Sequence, residues 1–515
     1  MPYSADQDTI TSSGFLKDSQ SIVSKNGNFR LGFFSLDAKS TNCYLGIWFN
    51  KVPVVTVVWV ANRNQPIKDK SGALKLSDDG NLLLLNGQNQ TMWSTNVSNT
   101  TATGSTAQLL DTGNFVLMQN SGYSRKPNII WQSFAHPTNT LLPGKQPAIP
   151  NIANTEIFIL RAWRTRLDPS DGIFSAGIAT IGVPQVFTWK NGVKYWRSGP
   201  WDGSNFIGLA NGDETMNDGL VLEDHLETDT IEMRFSLEDG SSFLNYVIEP
   251  NGMINEQYWD GPSKSWKVGF SEPQTECDVY GKCGAFGTCN IGRYPICRCL
   301  RGFQPKNRAE WKKGNWSTRC VKSKQLQWGI TQEGKQDGFL RLPKVKVPDN
   351  IEKVTAFSED NCRTKCLNNC SCIAYAYCLN IGCMMWSNYL IDIQEFTVGR
   401  VDLFLRLASS ELGQFLISLL LYIHLLIVKE MKNVTMIDRL SHFSFSAESK
   451  THKQTEIIAL TTVTGTLIAA IVLCFLWRWI TRRGNRYSNL DSIRYYSYID
   501  DESAQSRKKS GKVGS

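Results

Sequence analysis

The cysteines are the residues whose type and spacing could do chemistry in this chain. Twelve of its 14 cysteines lie between Cys277 and Cys383. They form two groups of six, namely Cys277, Cys283, Cys289, Cys297, Cys299 and Cys320, then Cys362, Cys366, Cys370, Cys372, Cys378 and Cys383. Even numbers of closely spaced cysteines are typical of small domains crosslinked by disulfides, which persist in oxidising compartments. We therefore expect all twelve to be disulfide-bonded and the chain to face the outside of a cell.

Zinc binding is the alternative use of such cysteines. The spacings Cys297-x-Cys299, Cys362-x3-Cys366 and Cys370-x-Cys372 differ from the usual Cys-x2-Cys pairs of zinc sites, and no histidine lies between the first and last of the twelve. We therefore expect no metal. Each disulfide would contribute about 2–5 kcal/mol to a module that is too short to bury a large core.

An apolar segment near the C-terminus predicts how these modules are held at a membrane. Residues 457–477 contain no charged side chain and are long enough to form a single transmembrane helix. Arginines follow at once, which predicts a short basic cytoplasmic tail at 478–515 and an extracellular N-terminus. The tail holds much of the chain's formal net charge of +8, so this charge does not indicate nucleic-acid binding. A buried core helix is the alternative reading of 457–477.

Two other segments fit this topology less well. Residues 1–14 lack the apolar core of a signal peptide, which we interpret as a truncated gene model. The sequence at 409–456 is a poorly patterned insert, and its apolar run at 415–428 is short for a membrane span. This run fits either a re-entrant or interfacial segment or retained intron sequence, and the choice stays open.

A turn followed by a strand occurs three times in the first 150 residues. The copies begin at Asn26-Gly27-Asn28, Asp79-Gly80-Asn81 and Thr112-Gly113-Asn114, and each leads into alternating apolar residues, as in β-hairpins. A tryptophan follows each copy, namely Trp48, Trp93 and Trp131. We predict a pseudo-threefold β-prism with these three side chains on its axis. An ordinary β-sandwich is the alternative.

Four sequence signatures resemble one protein family and occur in the family's order. YLGIWF at 44–49 and VWVANR at 58–63 resemble the bulb-type (G-type) lectin domain of plants. WRSGPWDG at 196–203 resembles the S-locus glycoprotein domain, CDVYGKCG at 277–284 an EGF-like module, and NCSCIAYA at 369–376 a PAN/apple module. Together they resemble the ectodomain of plant S-domain receptor-like serine/threonine kinases.

The resemblance implies a multidomain, mainly β chain. It would contain a bulb-lectin β-prism at 1–150, a β-rich S-locus glycoprotein domain at 151–272, a disulfide-rich EGF-like module at 273–325 and a PAN/apple-like module at 335–408. Similarity to EGF modules implies the bridges Cys277–Cys289, Cys283–Cys297 and Cys299–Cys320. In the second group the fifteen pairings that six cysteines allow stay open.

The resemblance to bulb-type lectins raises the question of whether this chain binds a sugar. The mannose pocket of bulb-type lectins reads Gln-x-Asp-x-Asn-x-Val-x-Tyr. The second repeat keeps Asp79 and Asn81, and the third keeps Asn114 and Val116, but neither keeps the Gln and Tyr. Because lost partners leave sugar hydroxyls unpaired, we favour a lectin fold that serves as a protein-binding scaffold, with these four residues as a degenerate site.

Further predictions for the ectodomain concern glycosylation, calcium binding and Cys43. N-glycosylation motifs place sugars at Asn89, Asn96, Asn99, Asn315, Asn369 and Asn433, which fits a glycoprotein. The start of the EGF-like module lacks the oxygen ligands of a calcium site, so we expect no calcium. Cys43 stands alone in the lectin region, where a free buried thiol is favoured over an intermolecular bridge.

The expected function is recognition of an extracellular peptide, protein or glycan ligand at the plant plasma membrane, as in self-incompatibility or defence. The family's catalytic motifs do not occur after residue 477, so we expect no catalytic residues and no cofactor in this chain, with ATP relevant only to a longer product. A decoy or co-receptor that dimerises with S-domain receptor kinases would fit. The alternatives are a truncated receptor kinase model and a membrane-tethered lectin. The ligand is not determined by the sequence.

Overall fold

A computed structural model describes residues 8–412. Its gaps lie at 38–39, 99–103, 120–127, 146–148, 151–159, 180–181, 210–220, 226–229, 236–242, 324–336, 400 and 409–410. The described residues form β-sheets with two short α-helices.

The N-terminal domain consists of three four-stranded antiparallel sheets. Its strands are β1 Thr9–Thr11, β2 Phe15–Lys17, β3 Ser21–Val23, β4 Phe29–Phe34, β5 Tyr44–Phe49, β6 Val57–Val60, β7 Ala73–Leu76, β8 Leu82–Leu85, β9 Thr91–Ser94, β10 Ser105–Leu109, β11 Phe115–Gln119 and β12 Asn128–Gln132. The strand orders are β3-β4-β5-β6, β2-β7-β8-β9 and β1-β10-β11-β12, so each sheet takes one of the first three strands. This arrangement confirms the predicted β-prism and excludes the β-sandwich.

Three tryptophans meet at the centre of the prism, but they are not quite the three predicted. Trp59, Trp93 and Trp131 lie edge to face, with ring centroids 5.5–6.0 Å apart. Each comes from the last strand of its sheet. Trp48 lies one strand earlier, in β5, where its ring contacts Phe34 at 6.2 Å. The prediction was wrong for Trp48 because two strands, β4 and β5, lie between the turn of the first repeat and the strand that reaches the axis, whereas each of the other two repeats has one such strand.

The second domain is also built of antiparallel sheets. Its strands are β13 Thr140–Leu141, β14 Gly144–Lys145, β15 Ile149–Pro150, β16 Leu160–Thr165, β17 Asp168–Ala179, β18 Gln185–Lys190, β19 Val193–Arg197, β20 Val221–His225, β21 Thr230–Phe235, β22 Leu244–Ile248, β23 Ile254–Asp260 and β24 Ser265–Glu272. They form the orders β13-β22-β23-β24 and β16-β17-β18-β19, and β21 pairs with β14, β15 and β20. Strands β13 to β15 lie before residue 151, but they pair only with strands of this second domain. The second domain therefore begins before the predicted boundary at 150.

The EGF-like module is small and held by short hairpins. It contains β25 Gly287–Cys289, β26 Cys297–Cys299, β27 Phe303–Pro305, β28 Cys320–Lys322 and the helix α1 Arg308–Lys312. The Asn307 side chain caps α1 by accepting from two backbone N–H groups of its first turn.

The PAN-like module packs one helix on a five-stranded sheet. Its elements are β29 Gly338–Leu342, β30 Val345–Lys346, β31 Glu352–Val354, α2 Glu359–Asn368, β32 Ala374–Cys378, β33 Gly382–Trp386, β34 Ile393–Glu395 and β35 Leu403–Leu407. The sheet order is β29-β35-β32-β33-β31. The remaining two strands join β25 and β26 in the order β26-β25-β34-β30, so the EGF-like and PAN-like modules share a sheet.

Candidate functional site

The two asparagines predicted to bind sugar hold the lectin hairpins together instead. The Asn81 Oδ1 accepts from Thr95 Oγ1 at 3.0 Å and from the Val97 N–H at 2.7 Å, and its Nδ2 donates to the Val97 carbonyl at 3.2 Å. These bonds tie the turn before β8 to the chain that leaves β9. The donors and acceptors of this buried amide are therefore used within the domain.

Asn114 repeats the arrangement in the third sheet. Its Oδ1 accepts from Ser133 Oγ and the Phe134 N–H, each at 3.1 Å, and its Nδ2 donates to Gln132 Oε1 at 2.9 Å. The chain leaving β12 is thereby tied to the turn before β11. In the second and third repeats, the Asn of the Gly-Asn turn thus stabilises the β-prism.

The other two predicted sugar residues differ in exposure. Val116 is fully buried, so its side chain does not face a surface groove. Asp79 is exposed and accepts hydrogen bonds from Ser77 Oγ and the Asn81 N–H, and these bonds lower the pKa of its carboxyl. Of the four residues, which come in pairs from the second and third repeats, Asp79 alone presents its side chain to solvent.

The first six cysteines are paired as the resemblance to EGF modules implied. The bridges are Cys277–Cys289, Cys283–Cys297 and Cys299–Cys320. A trio of their sulfur atoms lies close enough to resemble a metal cluster, but disulfide bonding accounts for this proximity.

The second group of cysteines departs from the prediction of full pairing. The Cys362–Cys383 bridge attaches α2 to β33, and the Cys366–Cys372 bridge attaches α2 to the loop before β32. Cys370 and Cys378 are free, so the prediction was wrong for these two. Cys370 is exposed and lies before β32, whereas Cys378 is half-buried at the end of that strand.

Cys43 is a free buried thiol, as expected. Burial, together with the neighbouring Asp18 carboxylate, raises the pKa of this thiol to about 12. It therefore stays protonated and inert at physiological pH.

The glycosylation motifs lie where an attached sugar could project into solvent. Asn89, Asn96, Asn315 and Asn369 are all exposed. The motifs at Asn99 and Asn433 lie outside the described residues.

Arg197, the second residue of the WRSGPWDG signature, lies buried where three modules meet. Its guanidinium is fully buried and donates to Asp392 Oδ2 at 2.7 Å, Gln185 Oε1 at 3.0 Å and the carbonyl of Val347. Asp392 also pairs with Lys346 Nζ at 3.1 Å and accepts from the Gly281 N–H at 2.9 Å. The S-locus, EGF-like and PAN-like parts of the chain therefore meet at one carboxylate.

A second carboxylate extends this junction. Asp349 accepts from Lys194 Nζ at 2.5 Å and Tyr280 Oη at 2.7 Å. Burial alone would raise the pKa of Asp349, but the positive charges of Arg197 and Lys194 outweigh it and lower the pKa to about 2. The Asp349 carboxyl is thus ionised at physiological pH.

Glu272, at the end of β24, is affected in the opposite direction. Burial, and then the negative charge of Asp278, raises the pKa of its carboxyl to about 7, although Lys346 counteracts this. The junction therefore contains one group whose charge changes near neutral pH.

Arg63 forms the corresponding contact between the lectin and S-locus domains. Its guanidinium donates to the carbonyls of Pro169 at 2.7 Å and Ala162 at 3.0 Å, and pairs with Asp171 at 3.2 Å. Burial lowers the pKa of Arg63 to about 10, so it remains charged. An arginine within a tryptophan-containing signature, as in VWVANR and WRSGPWDG, is the signal that could have identified both contacts.

The membrane predictions fall on residues that the structure does not describe. The insert at 409–456, apart from 411–412, the apolar segment at 457–477 and the tail at 478–515 all lie outside the described residues. Among the described residues, no helix combines the length and apolar character needed to cross a bilayer.

Family models match three parts of the chain. The D-mannose binding lectin model matches residues 56–164, the S-locus glycoprotein domain model 196–307 and the PAN-like domain model 332–393. Lectin, S-locus glycoprotein and PAN-like domains thus follow one another along the chain in the predicted order.

Relatives in Arabidopsis thaliana share these domains. The chain is 41% identical over 415 residues to the G-type lectin S-receptor-like serine/threonine-protein kinase SD1-13, which covers 78% of this chain and 49% of that protein. It is 38% identical over 402 residues to the corresponding kinase B120, covering 76% and 46%. The chain thus spans about half the length of the curated relatives it matches, and no kinase domain is evident in the matched part.

Among solved structures, a monomeric monocot mannose-binding lectin from Gastrodia elata matches with 23% identity and a TM-score of 0.19, covering 25% of this chain and 96% of the lectin.

Proposed function

Because this chain carries lectin, S-locus glycoprotein and PAN-like domains and is homologous to the G-type lectin S-receptor-like kinases, we propose that it is a receptor ectodomain that recognises an extracellular ligand at the plant plasma membrane. The observation that carries the proposal is the match at about 40% identity across the three domains in one order. Five disulfides among the described residues support an oxidising, extracellular environment.

The contacts between modules support recognition by a preorganised ectodomain. Arg63 joins the lectin and S-locus domains, and Arg197 joins the S-locus domain to the EGF-like and PAN-like modules. Since the Arg197 contact is buried and charged, movement of the S-locus domain relative to the EGF-like and PAN-like modules would leave charges unpaired, at a cost of several kcal/mol. A ligand would therefore meet a surface whose parts are already in place.

Surface display is tested with an epitope-tagged full chain in plant cells. We expect an endoglycosidase-sensitive mobility shift and labelling by a membrane-impermeant reagent. A chain that stays unglycosylated and inaccessible to the reagent would contradict the proposal. A version in which Asn89, Asn96, Asn315 and Asn369 are changed to Gln is the control, because it should lose most of the shift.

The role within a receptor complex is a separate part of the proposal. A decoy or co-receptor would co-precipitate with a full-length S-domain receptor kinase at the cell surface. Full-length transcript sequencing distinguishes this role from the alternative, since a reading frame that continues from the tail into a kinase domain identifies a receptor kinase.

A further inference from the structure

The EGF-like module holds an unusual concentration of positive charge. Residues 273–325 contain eleven lysines and arginines but three acids, which gives the module a formal charge of +8. The whole chain of 515 residues carries the same net charge of +8. Because like charges on a small module repel one another and work against a compact fold, this concentration points to a negatively charged partner.

The acids near this module neutralise its first half more than its second. Glu276 pairs with Lys282 at 2.6 Å, and Arg293 pairs with Glu395 of the PAN-like module at 2.7 Å. Glu310 is the one acid in the second half of the module. The positive charge of the second half therefore faces solvent largely without acidic partners in the described part of the chain.

Six basic side chains of the second half form a surface that we call the cationic patch, namely Lys306, Arg308, Lys312, Lys313, Arg319 and Lys322. All six are exposed, and none of them forms an ion pair with an acid that the structure describes. Every other residue type that could neutralise them here is uncharged, apart from Glu310. The patch is therefore a cluster of cations available to a partner.

The local fold places these cations beside one another. The Lys306 N–H donates to the Arg319 carbonyl at 3.1 Å, which joins the ends of β27 and β28. Arg308 and Lys312 are four residues apart on α1, so they lie on the same face of the helix, where like charges destabilise it. Lys306 and Arg308 also line an open groove of about 480 Å³ together with Glu310. An anion bound here would relieve repulsion that the fold itself leaves in place.

The surroundings of the patch indicate what kind of anion would fit. Among the described residues at 298–323, the large apolar side chains are buried or half-buried. Protein interfaces and membrane-inserted surfaces depend on apolar or aromatic anchors, and the cores of protein interfaces are depleted of lysine. The patch has neither property, so it suits a hydrophilic polymer whose negative charges repeat along its length. Ammonium and guanidinium groups pair with carboxylates through charge-assisted hydrogen bonds.

We propose that the cationic patch of the EGF-like module binds an acidic polysaccharide through the carboxylates of its uronic acid units. The inference rests on the proposed function, since it assigns a ligand class and a site to the extracellular receptor. It places this binding on the EGF-like module, apart from the Gly-Asn turns of the lectin domain.

Binding of the full chain to immobilised polygalacturonate, measured by biolayer interferometry, tests this site. The chain is produced through a secretory host and purified in detergent, and fully methyl-esterified polygalacturonate is the uncharged control polymer. We expect binding to the acidic polymer alone, and we expect added salt to weaken it because ions screen exposed charges. The triple variant Lys306→Glu, Arg308→Glu, Lys312→Glu should bind about tenfold more weakly or less, the equivalent of about 1.4 kcal/mol.

A matched triple variant controls for net charge. Lys51→Glu, Lys75→Glu, Lys267→Glu changes the same number of charges at three exposed lysines outside the module, and it should bind as the unmodified chain does. The basic segment at 478–515 is identical in both variants, so it does not contribute to their difference. Asn315→Gln removes a glycosylation motif close to the patch and should bind at least as well as the unmodified chain. Thermal unfolding of each variant verifies that it is folded.

Three outcomes would overturn the inference: polygalacturonate does not bind, the esterified polymer binds equally well, or both triple variants weaken binding to the same extent. Vesicles of phosphatidylserine and phosphatidylcholine are a further probe. Patch-dependent binding to these vesicles without binding to polygalacturonate would assign the patch to a lipid surface and overturn the inference as well.

Surface labelling separates this failure from failure of the proposed function. A chain displayed at the surface without patch-dependent binding overturns only the polysaccharide site, whereas a chain retained inside the cell contradicts the receptor role.

Discussion

The lectin turns and the S-locus strands around Trp163 and Asn245 both contain buried polar side chains, but they use them differently. In the turns, Asn81 and Asn114 exchange hydrogen bonds with the chain leaving the last strand of each sheet. In the S-locus strands, Trp163 and Asn245 keep donors that have no acceptor in the described residues. A paired buried group stabilises the fold, whereas an unpaired one is costly. Burial of a polar side chain therefore does not by itself show whether that side chain stabilises the fold.

The largest expected effect comes from the most fully paired side chain. Arg197→Leu would leave the Asp392 carboxylate with Lys346 and the Gly281 N–H, and would remove the contacts to Gln185 and Val347. We expect the free energy of unfolding to fall by about 3–5 kcal/mol, because one partner of a buried ion pair is lost. Urea-induced unfolding, followed by tryptophan fluorescence, measures the change.

Arg234→Leu is the control for this prediction. Arg234 pairs with Glu223, but its side chain is 54% exposed, so we expect a loss of only about 0–1 kcal/mol. Similar small losses in both variants would contradict the role of Arg197 as the contact between modules.

The next effect concerns the lectin turn. Asn81→Ala would leave the Val97 N–H and the Thr95 hydroxyl without their shared acceptor. We expect a loss of about 1–3 kcal/mol in the free energy of unfolding, against about 0.5 kcal/mol or less for the exposed Asp79→Ala. Equal effects, measured by calorimetry, would show that the Gly-Asn turn is not held by its amide.

A smaller effect depends on pH and involves Glu272. Because its pKa is raised to about 7, the folded protein retains a proton between the ordinary carboxyl pKa and pH 7 that the unfolded chain has released. Stability therefore falls as pH rises through this window and levels off above it. Glu272→Gln cannot ionise, so we expect it to unfold at a higher temperature than the unmodified protein above pH 7.

The control for this pH effect is Glu276→Gln, which alters an exposed glutamate that pairs with Lys282. Thermal midpoints of both variants across pH 4.5 to 8 provide the comparison. A decline in stability that persists unchanged in Glu272→Gln would exclude this carboxyl as its cause.

Much of the fold could be predicted from the sequence because local patterns determine it. Repeated Gly-Asn turns with alternating apolar strands indicated the three sheets, and the close cysteine spacing indicated the EGF-like module. Trp48 was assigned to the axis wrongly because spacing from a turn does not reveal an extra strand. The sheet that joins β25 to β34 was not predicted, since such pairing depends on the tertiary fold.

The candidate sites were harder to predict for the same reason. Asn81 and Asn114 were recognised by a motif, but the motif does not show whether an amide is already paired. Arg63 and Arg197 lie within the signatures, yet their partners lie about 100 residues or more away along the chain. Trp163 and Asn245 belong to no motif, and the sequence does not show that their buried donors lack acceptors in the described residues.

The measurement that tests this account most directly is the ligand-free unfolding of a matched pair of variants, Asn81→Leu and Asn245→Leu. Both replace a buried amide with an apolar side chain. We expect Asn81→Leu to lose about 1–3 kcal/mol, and Asn245→Leu to stay within about 0.5 kcal/mol of the unmodified protein or to gain stability, since it removes an unpaired donor. A large loss in Asn245→Leu with none in Asn81→Leu would contradict the conclusion that the Asn81 amide stabilises the fold through its hydrogen bonds whereas the Asn245 amide carries an unpaired donor.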